Sequence, residues 1–285
     1  MSKVLNLKIA DLSIAIEGDI PLDEWKIPSA YKPFIQPGLQ DIHLQLHRKA
    51  FNTVMGKKTF DCPPIWTLYR RNGTSIIEIQ HEFPDLARTL VIQPPIEKAD
   101  LYFADESPRF LDPFHGPTVE LLMVHTLAEG RGAIIHACGI LRNEKGVLFV
   151  GESGAGKSTL SRLWDQESGV VVLSDDRNIV RKKGGQYWVY GTPWHGDAKF
   201  ASLETVVLEN IFFLRQGPEN TLRAIKGSDS VSRLLTTSFP PYWDTDGMAY
   251  TLALFSDLTA QVSCQELTFR PDRSIIDFIL KELNH

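Results

Sequence analysis

A glycine-rich stretch between an apolar run and a helical pattern is the feature that most constrains this chain. The stretch VLFVGESGAGKSTLSRLW covers residues 147–164, and its residues 151–158 match the pattern G-x-x-x-x-G-K-[ST]. Glycines let consecutive backbone N–H groups turn inward toward phosphate oxygens, and the helix that follows adds its positive N-terminal end. The sequence therefore predicts a strand, a phosphate-binding loop and a helix in direct succession.

The residues of this motif predict contacts with a nucleoside triphosphate and its metal ion. Lys157 is expected to reach the β- and γ-phosphates, and the hydroxyl of Ser158 is expected to bind Mg²⁺. We therefore predict ATP and Mg²⁺ as cofactors. The residues predicted to contact the nucleotide are Gly151, Ser153, Gly154, Ala155, Gly156, Lys157, Ser158 and Thr159.

Two adjacent aspartates follow the next apolar run. The run GVVVL is followed by a serine and by the pair Asp175-Asp176, and ligand-facing groups in α/β sheets lie at the C-terminal ends of strands. One carboxylate can hold Mg²⁺, and the other can accept a proton from an attacking hydroxyl. We assign Asp175 as the catalytic base and Asp176 as the metal ligand. The alternative is a solvated turn without a catalytic role.

Less specific patterns indicate four further candidate residues for catalysis or substrate contact. His136 lies in AIIHACGIL, the strand before the one that feeds the loop; it either approaches the phosphates or is a hydrogen-bonded histidine at the end of the sheet. Trp194 and His195 lie in the turn-rich stretch GTPWHGD, which either contacts the substrate or packs as a corner. Arg215 ends the strand IFFLR, where it either reaches phosphate or is a surface arginine.

The first hundred or so residues have a β-rich pattern that changes near a proline-containing stretch. The strand-like runs in IWTLYRRNGTSIIEI flank Asn72 and Gly73, a strong signal for a hairpin turn. Residues 105–117 contain three prolines and predict a linker, and TVELLMVHTLAEGRG after them predicts a helix. We predict a β-rich domain over 1–112, which helps to bind the acceptor, and a catalytic domain over 113–285.

Composition and charge argue against several function classes. The net charge is −5 and the isoelectric point is about 5.9, so the chain does not have the basic character typical of nucleic-acid binding. The longest apolar runs are too short to span a bilayer, and the N-terminus has no secretory signal pattern. Cys62, Cys138 and Cys264 are odd in number and widely spaced, which argues against a disulfide framework or a zinc site. We expect a cytoplasmic protein with no nucleic-acid or membrane partner.

The histidine strand, the loop GESGAGKS, the short helix and the strand ending in SDD together resemble the catalytic core of HPr serine kinase/phosphorylase. The ATP-type phosphoenolpyruvate carboxykinases share that core. The resemblance covers roughly residues 116–285 and implies an α/β (α+β) fold with a mixed core sheet. It implies that Lys157 contacts phosphate, that Asp175 activates a substrate serine and that His136 lies near the transferred phosphate as a third catalytic residue. The related kinases form homo-oligomers, so self-association is also implied.

One segment departs from the HPr kinase/phosphorylase pattern. That family carries a glutamate-arginine-glycine segment after the acidic pair, linked to metal binding and dephosphorylation, whereas the corresponding region here reads YWVYGTPWHG. The chain is therefore more similar to the divergent HPr-kinase-related proteins, some of which modify peptides.

These patterns predict an ATP- and Mg²⁺-dependent kinase that transfers the γ-phosphoryl group to a hydroxyl. We expect the acceptor to be a serine of a peptide or small protein. Three alternatives stay open: a small-molecule kinase on the same core, a carboxykinase-like lyase, and a nucleotide-binding module without catalysis. The lyase would need a cluster of basic residues around an organic acid, which the sequence patterns do not provide.

Overall fold

The structure is a computed structural model that describes residues 4–37, 40–79, 87–103 and 111–283. Contacts between Cα atoms divide the chain into two compact units, Met1–Thr126 and Leu127–His285. Residues 105–110 of the predicted linker over 105–117 lie outside the described residues. The predicted domains 1–112 and 113–285 stay a prediction.

The first unit is built on an eight-stranded mixed sheet. Its strands lie in the order β1-β2-β3-β8-β7-β6-β5-β4. β3 pairs in parallel with both β2 and β8, and the other neighbours are antiparallel. The strands are β1 (Leu5–Ile9), β2 (Leu12–Gly18), β3 (Ile42–His47), β4 (Lys57–Cys62), β5 (Trp66–Arg71), β6 (Thr74–Ile79), β7 (Arg88–Gln93) and β8 (Lys98–Phe103). Two short 3-10 helices, Leu22–Glu24 and Ser29–Phe34, lie between β2 and β3.

Local sequence chemistry explains these strands. In β3 the leucines Leu44 and Leu46 are fully buried, while His43 and His47 alternate with them and are half-buried, because successive side chains of a strand point to opposite faces. The predicted hairpin is also present, with Asn72 and Gly73 both at positive φ between β5 and β6. Such a pair of left-handed residues is what a two-residue hairpin turn requires.

The second unit holds another eight-stranded mixed sheet and most of the helices. Its strands are β9 (Ala133–Arg142), β10 (Lys145–Val150), β11 (Val170–Ser174), β12 (Arg177–Lys183), β13 (Gln186–Tyr190), β14 (Thr205–Gln216), β15 (Thr221–Ala224) and β16 (Ser263–Phe269). The described helices of the chain are α1 (Thr118–Ala128), α2 (Lys157–Trp164), α3 (Ser228–Thr236), α4 (Thr245–Gln261) and α5 (Ser274–Leu283). The boundary between the units falls within α1. A mixed rather than wholly parallel sheet agrees with the expected α/β (α+β) class.

The pairing of three strands positions the glycine-rich segment. β10 lies between β9, which is antiparallel to it, and β14, which is parallel. Because β9 runs antiparallel to β10, its early residues face the late residues of β10, and Ala137 pairs with Val150. His136 pairs on its other side with Arg177 at the start of β12. The topology thus brings His136 and the residues around Arg177 to the end of the strand that leads into the loop.

Two hydrophobic clusters stabilise the second unit. One packs Phe149 and Phe212 against Trp164 of α2 and Ile276 of α5. The other includes side chains of α3 and α4, such as the fully buried Phe255. In the described part of the chain, no helix is both long and apolar enough to cross a membrane.

Candidate functional site

The glycine-rich loop, residues 151–156, connects the end of β10 to the start of α2. Gly156 is the N-cap of α2 and has a φ of +104°, a conformation that residues with side chains rarely adopt. A Cβ at this position would lie 2.7 Å from Cζ of Phe269. Gly154 is likewise left-handed, with a φ of +81°. The glycines therefore allow the chain to turn from a buried strand into a helix within one short loop.

The side chain of Lys157 turns back over this loop. Its Nζ donates hydrogen bonds to the carbonyl oxygens of Gly151, at 2.7 Å, and Glu152, at 2.9 Å, and the residue is only 6% exposed. Burial lowers the pKa of Lys157, and the negative charge of Asp176 opposes this effect. The first residue of α2 thus places a buried amine over the loop, where it interacts electrostatically with Asp176.

A cavity of about 340 Å³ lies against the loop and brings most of the predicted residues together. Part of its wall comes from the loop and the first turn of α2, namely Ser153, Gly154, Gly156, Lys157, Ser158 and Thr159. His136, Asp175 and Asp176 also line it. The predicted catalytic residues and most of the predicted nucleotide contacts therefore share one cavity.

Asp176 is the centre of a charged cluster in this cavity. Nε2 of His136 lies 2.8 Å from its Oδ1, and the guanidinium of Arg177 donates to its Oδ2. Burial acts to raise the pKa of Asp176, but the hydrogen bond with His136 and the charges of Arg177, His136 and Lys157 together outweigh it and hold the pKa below its usual range. Its side chain is 20% exposed, so Asp176 presents a carboxylate to the cavity.

Asp175 is held quite differently from its neighbour. The residue is 1% exposed, and its carboxylate accepts hydrogen bonds from three backbone N–H groups. Gly196 and Phe200 donate to Oδ1, each at 3.1 Å, and Ala198 donates to Oδ2 at 2.9 Å. We call residues 196–200 the 196–200 loop. The carboxylate of Asp175 thus binds the backbone of this loop.

Three predicted substrate contacts do not line the cavity. Among the described residues that form its wall, Trp194, His195 and Arg215 do not occur. Trp194 is buried, and its carbonyl oxygen accepts a hydrogen bond from Oγ of Ser174 at 2.9 Å. Nδ1 of His195 lies 3.0 Å from the carbonyl oxygen of Gly196, and Arg215 is exposed. Their roles as substrate contacts stay predictions.

Sequence reasoning missed three residues of the cavity wall, Gly196, Asp197 and Gln216. Nε2 of Gln216 donates to the carbonyl oxygen of Gly154 at 2.9 Å, and neighbouring residues of a strand point to opposite faces. The sequence thus indicated correctly that the end of strand β14 approaches the loop. The side chain that faces the loop, however, is that of Gln216 and not that of Arg215. For Gly196 and Asp197, the turn-rich stretch marked the segment without indicating which residues line the cavity.

A second cavity, of about 470 Å³, lies against the other side of the loop. Gly151 and Ala155, the remaining predicted nucleotide contacts, line it together with Phe213 and Arg233. Nη1 of Arg233 donates to Oε2 of Glu266 at 2.8 Å. Ser153 and Gly154 line both cavities, so the tip of the loop separates them.

The residues of the first cavity fit a phosphate chain with its magnesium ion. The two left-handed glycines shape the backbone at a helix start, where N–H groups favour anions. Lys157 adds a positive charge. The hydroxyl of Ser158 and the carboxylate of Asp176 are hard oxygen ligands of the kind that Mg²⁺ prefers.

Comparisons with known proteins find a weak structural likeness. No protein-family model matches the chain, and no curated protein matches it. Among solved structures, the chain is similar to the Hpr(Ser) kinase/phosphatase from Coxiella burnetii, with 14% sequence identity over 53% of this chain and 92% of that chain. The TM-score is 0.29, and a likeness at that level assigns no residue or activity to this chain.

Proposed function

We propose that this protein is an ATP- and Mg²⁺-dependent kinase whose second unit is a P-loop catalytic core of the HPr kinase type. The acceptor that we propose is a serine hydroxyl of a peptide or small protein. One observation carries the proposal: the glycine-rich loop, the buried amine of Lys157 and the partly exposed carboxylate of Asp176 meet in a single cavity. Phosphoryl transfer relies mainly on positioning and on neutralising charge, and these groups are suited to both tasks.

Each group in the cavity has a distinct task in this proposal. Lys157 neutralises negative charge on the phosphoryl group that is transferred, while Ser158 and one carboxylate of the acidic pair hold Mg²⁺. Mg²⁺, when bound, supplies further charge neutralisation at the phosphate oxygens. The other carboxylate of the pair takes the proton of the acceptor hydroxyl. His136 orients Asp176 through its hydrogen bond.

A small-molecule acceptor is a second candidate, and the second cavity favours it. Its volume of about 470 Å³ lies within the range of about 300–1,000 Å³ that small ligands occupy. It also shares the tip of the loop with the first cavity. A small compound with a hydroxyl group in this cavity would lie next to the loop, and its binding would not need a groove for a peptide.

An intact-mass assay with ATP and Mg²⁺ tests the proposal. Peptides encoded beside this gene serve as acceptors, with Asp176→Asn as the test variant and Asp165→Asn, an exposed aspartate at the end of α2, as the matched control. We expect a peptide to gain one phosphoryl group with the wild type and the control, and the rate to fall by about a hundredfold or more with Asp176→Asn. Nucleotide binding without transfer to any peptide would contradict the peptide proposal, and transfer to a small hydroxyl compound alone would establish the second candidate.

A further inference from the structure

The two adjacent aspartates have opposite environments. The carboxylate of Asp176 is partly exposed to the cavity and is bound by side chains, those of His136 and Arg177. Asp175 is almost completely buried, and both of its oxygens accept hydrogen bonds from the backbone of the 196–200 loop. A group that exchanges a proton with a substrate must come within hydrogen-bond reach of it, about 2.6–3.2 Å. Asp175 also lines the cavity, but at 1% exposure it has little surface open to such an approach.

The 196–200 loop has a conformation that needs an anchor. Lys199 has a φ of +63°, which is uncommon for a residue with a long side chain. A Cβ on Gly196 would lie only 2.9 Å from Oδ2 of Asp175, so the backbone approaches this carboxylate closely. Alternate residues of the loop, Gly196, Ala198 and Phe200, point their N–H groups at one carboxylate. Hydrogen bonds to a charged group are stronger than those between neutral groups, so the carboxylate of Asp175 stabilises this conformation of the loop.

The anchored loop forms part of the cavity wall. Its first two residues, Gly196 and Asp197, line the cavity that contains Lys157 and Asp176. Beyond the loop, the N–H of Ser202 donates to the carbonyl oxygen of Leu173 at 2.9 Å. The segment is therefore fastened to the end of β11 both by the carboxylate and by backbone contacts.

We infer that Asp175 is a positioning residue, which holds the 196–200 loop against the cavity, and that Asp176 alone of the acidic pair touches the reactants. This inference rests on the proposed function and changes one assignment within it. Asp176, and not Asp175 as the sequence pattern favours, takes the proton of the acceptor hydroxyl, while Asp176 also holds Mg²⁺ together with Ser158. In this arrangement Asp175 acts on the reaction only through Gly196 and Asp197.

Two variants of Asp175 distinguish positioning from proton transfer. Neither Asp175→Asn nor Asp175→Ala can take a proton, so a base would lose activity equally in both. If Asp175 anchors the loop, the two variants should differ. An asparagine keeps one oxygen that accepts from the N–H groups of Gly196 and Phe200, although its amide group then faces Ala198. An alanine keeps no acceptor. We therefore expect kcat to fall less than tenfold in the Asn variant and at least tenfold further in the Ala variant.

Amide hydrogen exchange of residues 195–201, measured without nucleotide or acceptor, gives a readout that is independent of activity. We expect exchange in this segment to rise at least tenfold in Asp175→Ala and by a smaller factor in Asp175→Asn, because exchange reports local opening. Asp176→Asn makes the same change of charge at the next residue, and it should leave this exchange unchanged while transfer is lost. Equal loss of kcat in the two Asp175 variants, or unchanged exchange of the segment in both, would overturn the inference. If the wild-type protein transfers no phosphoryl group at all, the proposed function fails, and the exchange result alone decides whether Asp175 anchors the loop.

Discussion

Lys157 is the residue on which nucleotide affinity is expected to depend most. Its amine is buried, and it donates to two carbonyl oxygens of its own loop. A buried ammonium group cannot reach bulk solvent, so carbonyl or phosphate oxygens must satisfy its donors. The residue therefore shapes the loop, and in the proposed function it also binds the phosphates of the nucleotide.

Replacing Lys157 by Met should weaken nucleotide binding without unfolding the protein. Methionine keeps most of the length of the apolar stem but removes the charge and its hydrogen bonds. A lost hydrogen bond to a charged group costs about 1.5–3 kcal/mol, which corresponds to a Kd about tenfold to a hundredfold higher. Titration calorimetry with ATP and Mg²⁺ measures this change.

Lys145→Met is the matched control for that measurement. Lys145 starts β10, the strand that leads into the loop, but it is half-exposed and its Nζ lies 3.1 Å from Oε2 of Glu209. Its replacement should leave the Kd for ATP within about twofold, since exposed ion pairs contribute little. A similar loss of affinity in both variants would show that the charge of Lys157 is not specific to the site.

Among the helices, the start of α2 depends on a position that strongly favours glycine. Gly156→Ala should lower the free energy of unfolding by about 1–2 kcal/mol for its left-handed φ, with a further cost because the added Cβ would lie 2.7 Å from Phe269. Gly169→Ala is the control, because Gly169 also has a positive φ, +74°, but its Cβ would meet open space. Urea unfolding measures the loss of stability in both variants, and the difference between them reports the contact with Phe269. Equal losses in the two variants would contradict a cost from that contact.

Helix α4 is linked to the hairpin β12–β13 by a carboxylate that responds to pH. Asp257 accepts hydrogen bonds from the side chains of Lys182 and Tyr187, and these contacts lower its pKa from 3.8 to about 2. A carboxyl group whose pKa is lower in the folded state stabilises the fold above its unfolded pKa. That contribution is lost as the pH falls from about 4 toward 2.

The Asp257→Asn variant should therefore lose less stability than the wild type as the pH falls. Urea unfolding midpoints measured between about pH 5 and pH 2 should fall less in this variant than in the wild type. Asp246→Asn, at an exposed position in the first turn of the same helix, should keep the wild-type dependence. The expectation fails if all three proteins lose stability in parallel.

At the scale of the whole molecule, the first unit contains a buried charged network of its own. Asp112 is fully buried, and its carboxylate accepts hydrogen bonds from the backbone N–H groups of Lys26, Phe114 and His115. Arg88 is 2% exposed and donates to the carbonyl oxygen of Asp112. Burial lowers the pKa of Arg88 to about 10, and the charge of Asp112 opposes that shift. The negative charge of Asp112 therefore compensates a buried guanidinium.

Asp112→Ala should destabilise the first unit by about 3–5 kcal/mol, because it removes the carboxylate that accepts from three backbone N–H groups and that compensates the charge of the buried Arg88. All residues that line the two cavities beside the glycine-rich loop belong to the second unit, so the Kd for ATP should change less than about threefold. Thermal unfolding and calorimetry measure the two effects. Asp23→Ala, at an exposed position of the first unit, is the control. A loss of ATP affinity together with the loss of stability in Asp112→Ala would contradict the expectation that ATP binding depends on the second unit.

Features that depend on local backbone chemistry could be predicted well. The turn at Asn72 and Gly73, helix α1 and the strand–loop–helix unit around residues 151–156 all occur where the sequence predicts them. Each depends on side chains and dihedral angles within a few residues, and these are visible in the order of the amino acids. The mixed character of the core sheet was expected only through the resemblance, because strand direction is not encoded in a local pattern.

The placement of the site residues required the tertiary structure. The sequence left open whether His136 lies near the loop, and the antiparallel pairing of β9 with β10 brings it there. The sequence assigned Asp175 as the base and Asp176 as the metal ligand, but it could not indicate their different environments, which arise from the 196–200 loop about twenty residues later in the chain.

By itself, then, the sequence determined the glycine-rich loop, the lysine that it carries and the acidic pair, because short-range sterics and motif chemistry specify them. The tertiary structure decided which carboxylate is held by the backbone of the 196–200 loop, that Gln216 and not Arg215 reaches the loop, and that Trp194 is buried outside the cavity wall. The physical reason is that strand register and loop closure determine which face each side chain occupies. A shift of one residue in register would reverse every such assignment.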